Sequence, residues 1–178
     1  MRLFFAIALP DSARDAVGEA LRGIRGASEG VSWTRRANLH VTLRFLGEVA
    51  EERVDELAAA VGPWVRRLPP PELRLVGGGA ISDNRHPKVL TVGVEGDLGG
   101  LVGAMEGAIQ RLGFPAEDRP WLPHLTVGRV RMGRQDRTLS ALRELGEIAR
   151  FRPDGVVLYE SRQGEDGYRY VELRALAA

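Results

Sequence analysis

Two histidines in this chain stand in matching company. His40-Val41-Thr42-Leu43 occurs early and His124-Leu125-Thr126-Val127 late, each reading His-x-Thr-x with an apolar residue at every x. Alternation of this kind marks a half-buried β-strand, where residues i and i+2 point to one face. Each copy therefore buries its apolar residues and presents His and Thr together on the other side. Imidazole, with an ordinary pKa of about 6.5, gives or takes a proton near neutrality. Two imidazoles across one cleft can divide that work, one neutral as base and the other protonated as acid. A threonine hydroxyl donates a hydrogen bond without adding charge, which suits the non-bridging oxygens of a phosphate whose charge shifts during reaction. A lone His-Thr pair on a strand is more often structural. The chain has three histidines, and the recurrence in two of them carries the signal.

Other residues near the motifs are candidates on weaker grounds. By strict alternation Arg44 shares the His40 face. Arg129 falls on the opposite parity from His124, so a bulge near Gly128 is needed to turn it inward. Arg131 follows just beyond. Phe4 or Phe5 could stack on a base, as aromatic residues do in single-strand binding, although a strand core needs them equally. Trp33, Trp64 and Trp121 read as packing residues, with Trp121 the best exception because it lies close to His124. His86, among the loop formers Asn84-Arg85-His86-Pro87, lacks a Thr partner and reads as exposed. Gly77-Gly78-Gly79 is not a phosphate loop, since no Gly-Lys-Ser/Thr follows it.

Composition bounds the possibilities. The 178 residues suffice for one domain, or two small lobes sharing an interface, with a real core. A hydrophobic fraction of 44% and a charged fraction of 28% are those of an ordinary globular protein. The net charge of +1 advertises no long nucleic-acid footprint, although a local cluster can still hold a few phosphates. Lys88 is the only lysine among the basic residues, a bias better ascribed to genome composition than to function. With no cysteine, disulfides, thiolate metal sites and cysteine nucleophiles are excluded. The apolar opening from Leu3 to Leu9 is too short to cross a membrane and stops at Pro10-Asp11, so it reads as a buried first strand.

The elements that must position the histidines come in two sets. Leu3 to Leu9 is a strand, and Asp11 or Ser12 caps a helix to about Arg25 with Val17, Leu21 and Ile24 on one side. Val31 to Thr34 forms a short strand, followed by the first motif strand, Leu39 to Leu46. Glu51 to Arg67 is an amphipathic helix that Pro63 kinks or shortens. Pro69-Pro70-Pro71 is the strongest punctuation and a crossing point between lobes. Strands at Glu72 to Val76 and Lys88 to Val94 flank a loop holding the three glycines and Asp83-Asn84. A helix from Leu98 to Leu112, an extended Arg119-Pro120-Trp121-Leu122-Pro123 and the second motif strand come next. A last helix, Arg137 to Ile148, precedes a hairpin of Val156 to Glu160 and Tyr168 to Leu173. Strand, helix, motif strand, helix thus occurs twice, with the histidines nearly half the chain apart. The expected fold is α+β: two pseudo-symmetric lobes, each an antiparallel-rich sheet with helices on its outer face, enclosing a catalytic cleft within a single domain, 1–178.

The paired motifs and their flanks resemble a known family. Arg2-Leu3-Phe4-Phe5-Ala6-Ile7, Asn38-Leu39-His40-Val41-Thr42-Leu43-Arg44-Phe45-Leu46-Gly47-Glu48 and Arg119-Pro120-Trp121-Leu122-Pro123-His124-Leu125-Thr126-Val127-Gly128-Arg129 look like the two-histidine (2H) phosphoesterase superfamily. Within it they are similar to the RNA 2′,3′-cyclic phosphodiesterase branch, also called 2′-5′ RNA ligase. The resemblance covers essentially the whole chain. It implies metal-independent opening of a 2′,3′-cyclic phosphate at an RNA end to leave a 2′-phosphate. It further implies His40 as proton donor to the departing 3′ oxygen, His124 as the base that activates water, Thr42 and Thr126 as phosphate holders, and Arg129 as their assistant. Read in reverse, the same groups could join RNA ends through a 2′-5′ bond.

Two readings compete with a hydrolase. A non-catalytic RNA-end or nucleotide binder on the same scaffold predicts binding without turnover, and intact His and Thr in both motifs argue against it. A histidine-ligated metal protein is disfavoured because no Asp, Glu or Cys stands at ligand spacing. No cofactor is expected. RNA with cyclic phosphate ends, or related nucleotides, is the expected partner of a cytoplasmic monomer with no membrane association.

Overall fold

A computed structural model of the chain describes residues 1–83 and 86–178, with the side chains of residues 83 and 86 outside the description. The expectations for Asn84 and for an exposed His86 lie outside the described residues. The first strand, β1 (Arg2–Ala8), buries Leu3, Phe4, Phe5, Ala6 and Ile7 in succession. Residues of both parities are covered, as a continuous apolar run requires in the middle of a sheet. α1 (Asp11–Ala27) buries Ala13, Val17 and Leu21 along one stripe. After the short β2 (Val31–Trp33), a 3-10 turn at Arg36–Asn38 delivers the chain into the first motif strand, β3 (His40–Glu48).

α2 (Val54–Arg67) is entered through a 3-10 turn and buries Val54, Leu57, Val61 and Val65. It runs through Pro63 to Arg67, so Pro63 does not shorten it. Pro63 sits on the exposed side, where the lost N–H costs least, and the buried stripe opposite holds the helix together. Beyond the three prolines come β4 (Leu73–Asp83), β5 (His86–Glu95), α3 (Gly99–Arg111) and the second motif strand, β6 (His124–Val130). α4 (Asp136–Glu144) ends earlier than its apolar spacing predicts, because the chain leaves it to form an unforeseen strand, β7 (Ala149–Phe151). β8 (Gly155–Gly164) and β9 (Gly167–Ala177) form the closing hairpin.

Two antiparallel sheets result, with strand orders β3-β1-β8-β9 and β2-β6-β5-β4-β7. α2 packs on β8 and β9 and against α3, which also meets β3; α1 and α4 pack on the other sheet, at β7 and at β4 and β5. The expected two-sheet α+β architecture is therefore present, and the prolines at 69–71 do carry the chain from one sheet to the other. The lobes, however, are not the two halves of the sequence. β2 and α1 from the first half serve the second sheet, while α3, β8 and β9 from the second half serve the first. Neither half can complete its own sheet, so the halves are interleaved.

The three glycines are not a loop. They lie within β4, where the register against β5 slips between Val76 and Gly79. A Cβ on Gly78 would collide with the Thr91 carbonyl, and one on Gly77 with the Leu145 and Arg143 carbonyls, whereas Gly79 has open space. Glycine here permits close backbone approach within a bulged strand. Gly77→Ala and Gly78→Ala are each expected to lower unfolding free energy by about 2 kcal/mol or more, and Gly79→Ala to stay within about 0.5 kcal/mol of the parent. Urea unfolding of the three variants checks this ordering.

Candidate active site

The two motif strands approach one another, with Cα atoms of β3 and β6 within 8 Å. In both, burial follows the alternation: Val41, Leu43, Leu125 and Val127 are buried, while His40, Thr42, His124 and Thr126 are half-buried on the opposite side. His40 lies opposite Ala8 and Thr42 opposite Ala6; His124 lies opposite Gly93 and Thr126 opposite Thr91. The Trp121 indole N–H donates to the Thr42 carbonyl at 3.0 Å. That bond ties the extended lead-in of β6 to β3, and so sets one motif against the other across the sheets.

The two imidazoles are held in the same way. Nδ1 of His40 lies 2.7 Å from the Asn38 carbonyl, and Nδ1 of His124 lies 2.8 Å from the Leu122 carbonyl. A carbonyl oxygen can only accept, so Nδ1 carries the proton in each ring and Nε2 is left for chemistry. Nε2 of His40 receives the Thr42 hydroxyl at 2.9 Å. Burial pushes the His40 pKa down to about 4; the Asn38 carbonyl opposes this, and the charges of His124 and Arg14 reinforce it. His40 is accordingly neutral at pH 7, with a lone pair at Nε2.

Bulges decide which further residues join them. In β3, Thr42 and Arg44 oppose consecutive residues of β1, Ala6 and Phe5, so one extra residue enters the strand at Leu43. The parity reverses there. Arg44 turns away from His40, contrary to strict alternation, and pairs with Glu106 at 2.5 Å and Glu117 at 3.1 Å while donating to the Pro115 carbonyl. It is 8% exposed and clamps α3 and the segment after it, so it is not a phosphate ligand. Burial tends to raise the Glu106 carboxyl, but hydrogen bonds from Arg44 and Gln110 outweigh this and hold it below its ordinary value.

In β6 the same slip occurs: Thr126 and Gly128 oppose the consecutive Thr91 and Leu90. Here the parity reversal brings exposed Arg129 onto the His124 face, through the bulge that its inward position requires. Arg131 lies exposed beyond the strand, with its backbone N–H on the Gly30 carbonyl.

Phe4 cannot stack on a base from solution, for it is 2% exposed. Its strand is the covered centre of a sheet, and its ring forms the floor under His40 at 5.0 Å between centroids. Tyr159 stacks on that floor at 5.4 Å, and Tyr170 stands edge-on to both Phe4 and His40 at 5.1 and 5.0 Å. Phe45, opposite Phe4 in the register, is 61% exposed. It holds the place in β3 that Arg129 holds in β6, each being the fifth residue past its histidine. That shared spacing could have revealed Phe45 in the sequence; no spacing links Tyr159 and Tyr170 to either motif. Phe5 and Trp33 belong to the packing, as expected. Among the described residues no group of three or more His, Cys, Asp and Glu side chains is placed to hold a metal ion.

Comparison with known proteins gives a consistent set of likenesses. The family model described as LigT like Phosphoesterase matches residues 7–91. The RNA 2′,3′-cyclic phosphodiesterase of Archaeoglobus fulgidus is 38% identical over 133 residues, which span 74% of this chain and 73% of the relative. A crystal structure of a Thermus thermophilus protein superposes with a TM-score of 0.82 at 26% identity, over 99% of this chain and 97% of the other. The structure of Escherichia coli LigT complexed with 3′-AMP does so with a TM-score of 0.76 at 26% identity, over 97% and 95%.

The half-buried, neutral His40 contributes a pH dependence to stability. Its imidazole takes up a proton near pH 6.5 in the unfolded chain and only near 4 in the folded one. The unfolded state therefore binds more protons between those values. This contribution is intact above about pH 6.5 and is lost as the pH falls toward 4. Denaturant titrations across that range should show stability falling more steeply for the parent than for His40→Gln.

Proposed function

This chain belongs to the LigT-like phosphoesterases of the 2H superfamily, and is a hydrolase on that ground; from this premise we propose that it opens 2′,3′-cyclic phosphates at RNA ends to give 2′-phosphates. The observation that carries the reading is the matched pair of His-x-Thr strands, each ring donating from Nδ1 to the carbonyl two residues behind it. Both Nε2 atoms are then available to one phosphate between them.

His124 Nε2 takes a proton from water as its oxygen attacks phosphorus. The bond from phosphorus to O3′ breaks, and His40 Nε2 gives its proton to O3′. Thr42 and Thr126 donate to the non-bridging oxygens, and Arg129 offsets their negative charge. His40 must be protonated for this step, although burial favours its neutral form in the free protein. An anionic phosphate beside the ring raises its proton affinity, so His40 acquires its acid proton together with the substrate. When a ribose 5′-hydroxyl replaces water as the attacking group, O5′ bonds to phosphorus as O3′ departs, and the same groups form a 2′-5′ bond. Exposed Phe45, on the His40 face, is suited to the base of the terminal nucleotide. The naming of relatives as RNA 2′,3′-cyclic phosphodiesterases supports the substrate, and a nucleotide bound to Escherichia coli LigT supports the ligand class. Both motifs come from one chain, so a monomer suffices, and RNA ends as substrate assign it to the cytoplasm.

RNA ending in a 2′,3′-cyclic phosphate, incubated with the protein in excess EDTA, should gain the mass of one water, and its terminal nucleotide should run with a nucleoside 2′-phosphate standard and apart from the 3′ isomer on chromatography. His40→Ala and His124→Ala should each lower kcat by about 10²-fold or more with unchanged circular dichroism; near-parental turnover in either variant would falsify the acid and base roles of the two rings. The acidic limb of the kcat/KM profile should lie well below pH 6.5, toward about 4. It reports the second protonation of the coupled pair, whichever ring serves as acid.

A further inference from the structure

All three tyrosines of the chain, Tyr159, Tyr168 and Tyr170, lie on the β8–β9 hairpin. Tyr168 and Tyr170 are two apart on β9, opposite Gln163 and Ser161, with no register shift between them. They therefore point to one face, and Tyr170 fixes that face as the one bearing His40. Phe45, Phe4 and Tyr159 complete the same surface. The helices of this sheet, α2 and α3, pack on its other side, where Val156 and Leu158 are buried.

This aromatic surface remains open toward ligand. Tyr168 is 45% exposed, more than its packing needs. None of the three phenol hydroxyls has a hydrogen-bond partner among the described residues, and none is a buried unsatisfied atom, so all three reach solvent. The hairpin tip is nevertheless pinned beside the site: Arg35 donates to the Asp166 carbonyl, and the Asn38 side chain donates to the Tyr168 carbonyl at 2.9 Å. Asn38 is also the residue whose carbonyl orients His40. Three guanidinium groups nearby have no carboxylate partner among the described residues. Arg14 and Arg35 bond only to backbone carbonyls, and Arg129, close enough to influence Tyr170, has no carboxylate partner among the described residues. The acidic residues nearby are Glu172, opposite Tyr159, and Glu165 and Asp166 at the hairpin tip, none of which pairs with these arginine side chains through its carboxylate.

Two exposed rings, Phe45 and Tyr168, with phenol hydroxyls and guanidinium groups that have no carboxylate partner, together suit consecutive unpaired bases and their phosphates. We infer that this aromatic sheet face is a stacking platform for the single-stranded RNA leading up to the reacting end, with Tyr168 receiving a base upstream of the terminal nucleotide. The inference rests on the proposed cyclic-phosphate opening and adds to it a substrate class: an oligonucleotide with an unpaired 3′ end, in preference to a cyclic mononucleotide or a blunt duplex end. Tyr168 lies outside the reacting groups. Its contribution belongs to binding of the longer substrate alone.

The test compares cytidine 2′,3′-cyclic phosphate with a single-stranded hexaribonucleotide ending in the same group, for the parent and for Tyr168→Ala and Tyr168→Trp. The parent should prefer the hexamer in kcat/KM. Tyr168→Ala should reduce kcat/KM on the hexamer by about 10-fold, chiefly through KM, while leaving the mononucleotide within about twofold; Tyr168→Trp should restore the preference because it keeps a stacking face. Equal losses on both substrates, or a parent that treats both alike, would overturn the platform while leaving the hydrolytic reading intact. A parent that opens neither substrate would instead refute that reading and the platform with it.

Discussion

Each histidine gives its Nδ1 proton to the carbonyl two residues behind it, and the rest of the site depends on that constraint. The bond settles the tautomer, so Nε2 of both rings is the unprotonated atom, turned away from the backbone. It also turns each lead-in segment into part of the candidate site. Before β3, Asn38 supplies the carbonyl and its side chain anchors the hairpin tip. Before β6, Leu122 supplies the carbonyl and the neighbouring Trp121 fastens the segment to Thr42 of the other motif. Two backbone carbonyls and one indole thus relate the two rings to each other.

Interleaving of the halves serves the same end. A site built between two independent lobes would follow whatever motion separates them. Here each sheet draws strands from both halves of the sequence, and the helices cross over likewise. The chain therefore crosses repeatedly between the two sheets, and opening the cleft must move those crossings as well as part a surface. The Arg44 cluster adds to this, joining β3 to α3 and the segment that leads toward Trp121 through two carboxylates and a carbonyl. Buried guanidinium groups of this kind are costly to strip of partners, and this one has partners on every side.

Burial of His40 over an aromatic floor explains its ionisation. Phe4 beneath and Tyr170 at its edge exclude water and favour the neutral ring. An imidazole in such a place is a poor resting cation and a responsive one, because the arrival of an anion changes its proton affinity more than it would in water. Aromatic rings pack against His40 and, among the described residues, none packs against His124, which distinguishes two histidines that look equivalent in their motifs.

The linear sequence determined which residues are candidates for chemistry and the strands that carry them. The recurrence of His-x-Thr-x, with apolar residues between, depends only on the two-residue period of a β-strand, and that period is local. The first strand, the helix stripes of α1, α2 and α3 and the crossing at residues 69–71 were legible for the same reason. What only the tertiary structure decided was parity beyond the motifs and partnership between distant strands. One extra residue at Leu43 and another at Val127 reverse the faces, sending Arg44 inward to Glu106 and bringing Phe45 and Arg129 to the cleft. A bulge is set by how a strand pairs with its neighbour, which no alternation within the strand reports. Nor does any local pattern show that Phe4 will be roofed by tyrosines 155 to 166 residues further on, or that three glycines belong to a strand pressed against the Thr91 and Leu145 backbones. Those outcomes arise from contacts between segments remote in sequence, and they exist only once the two sheets have formed.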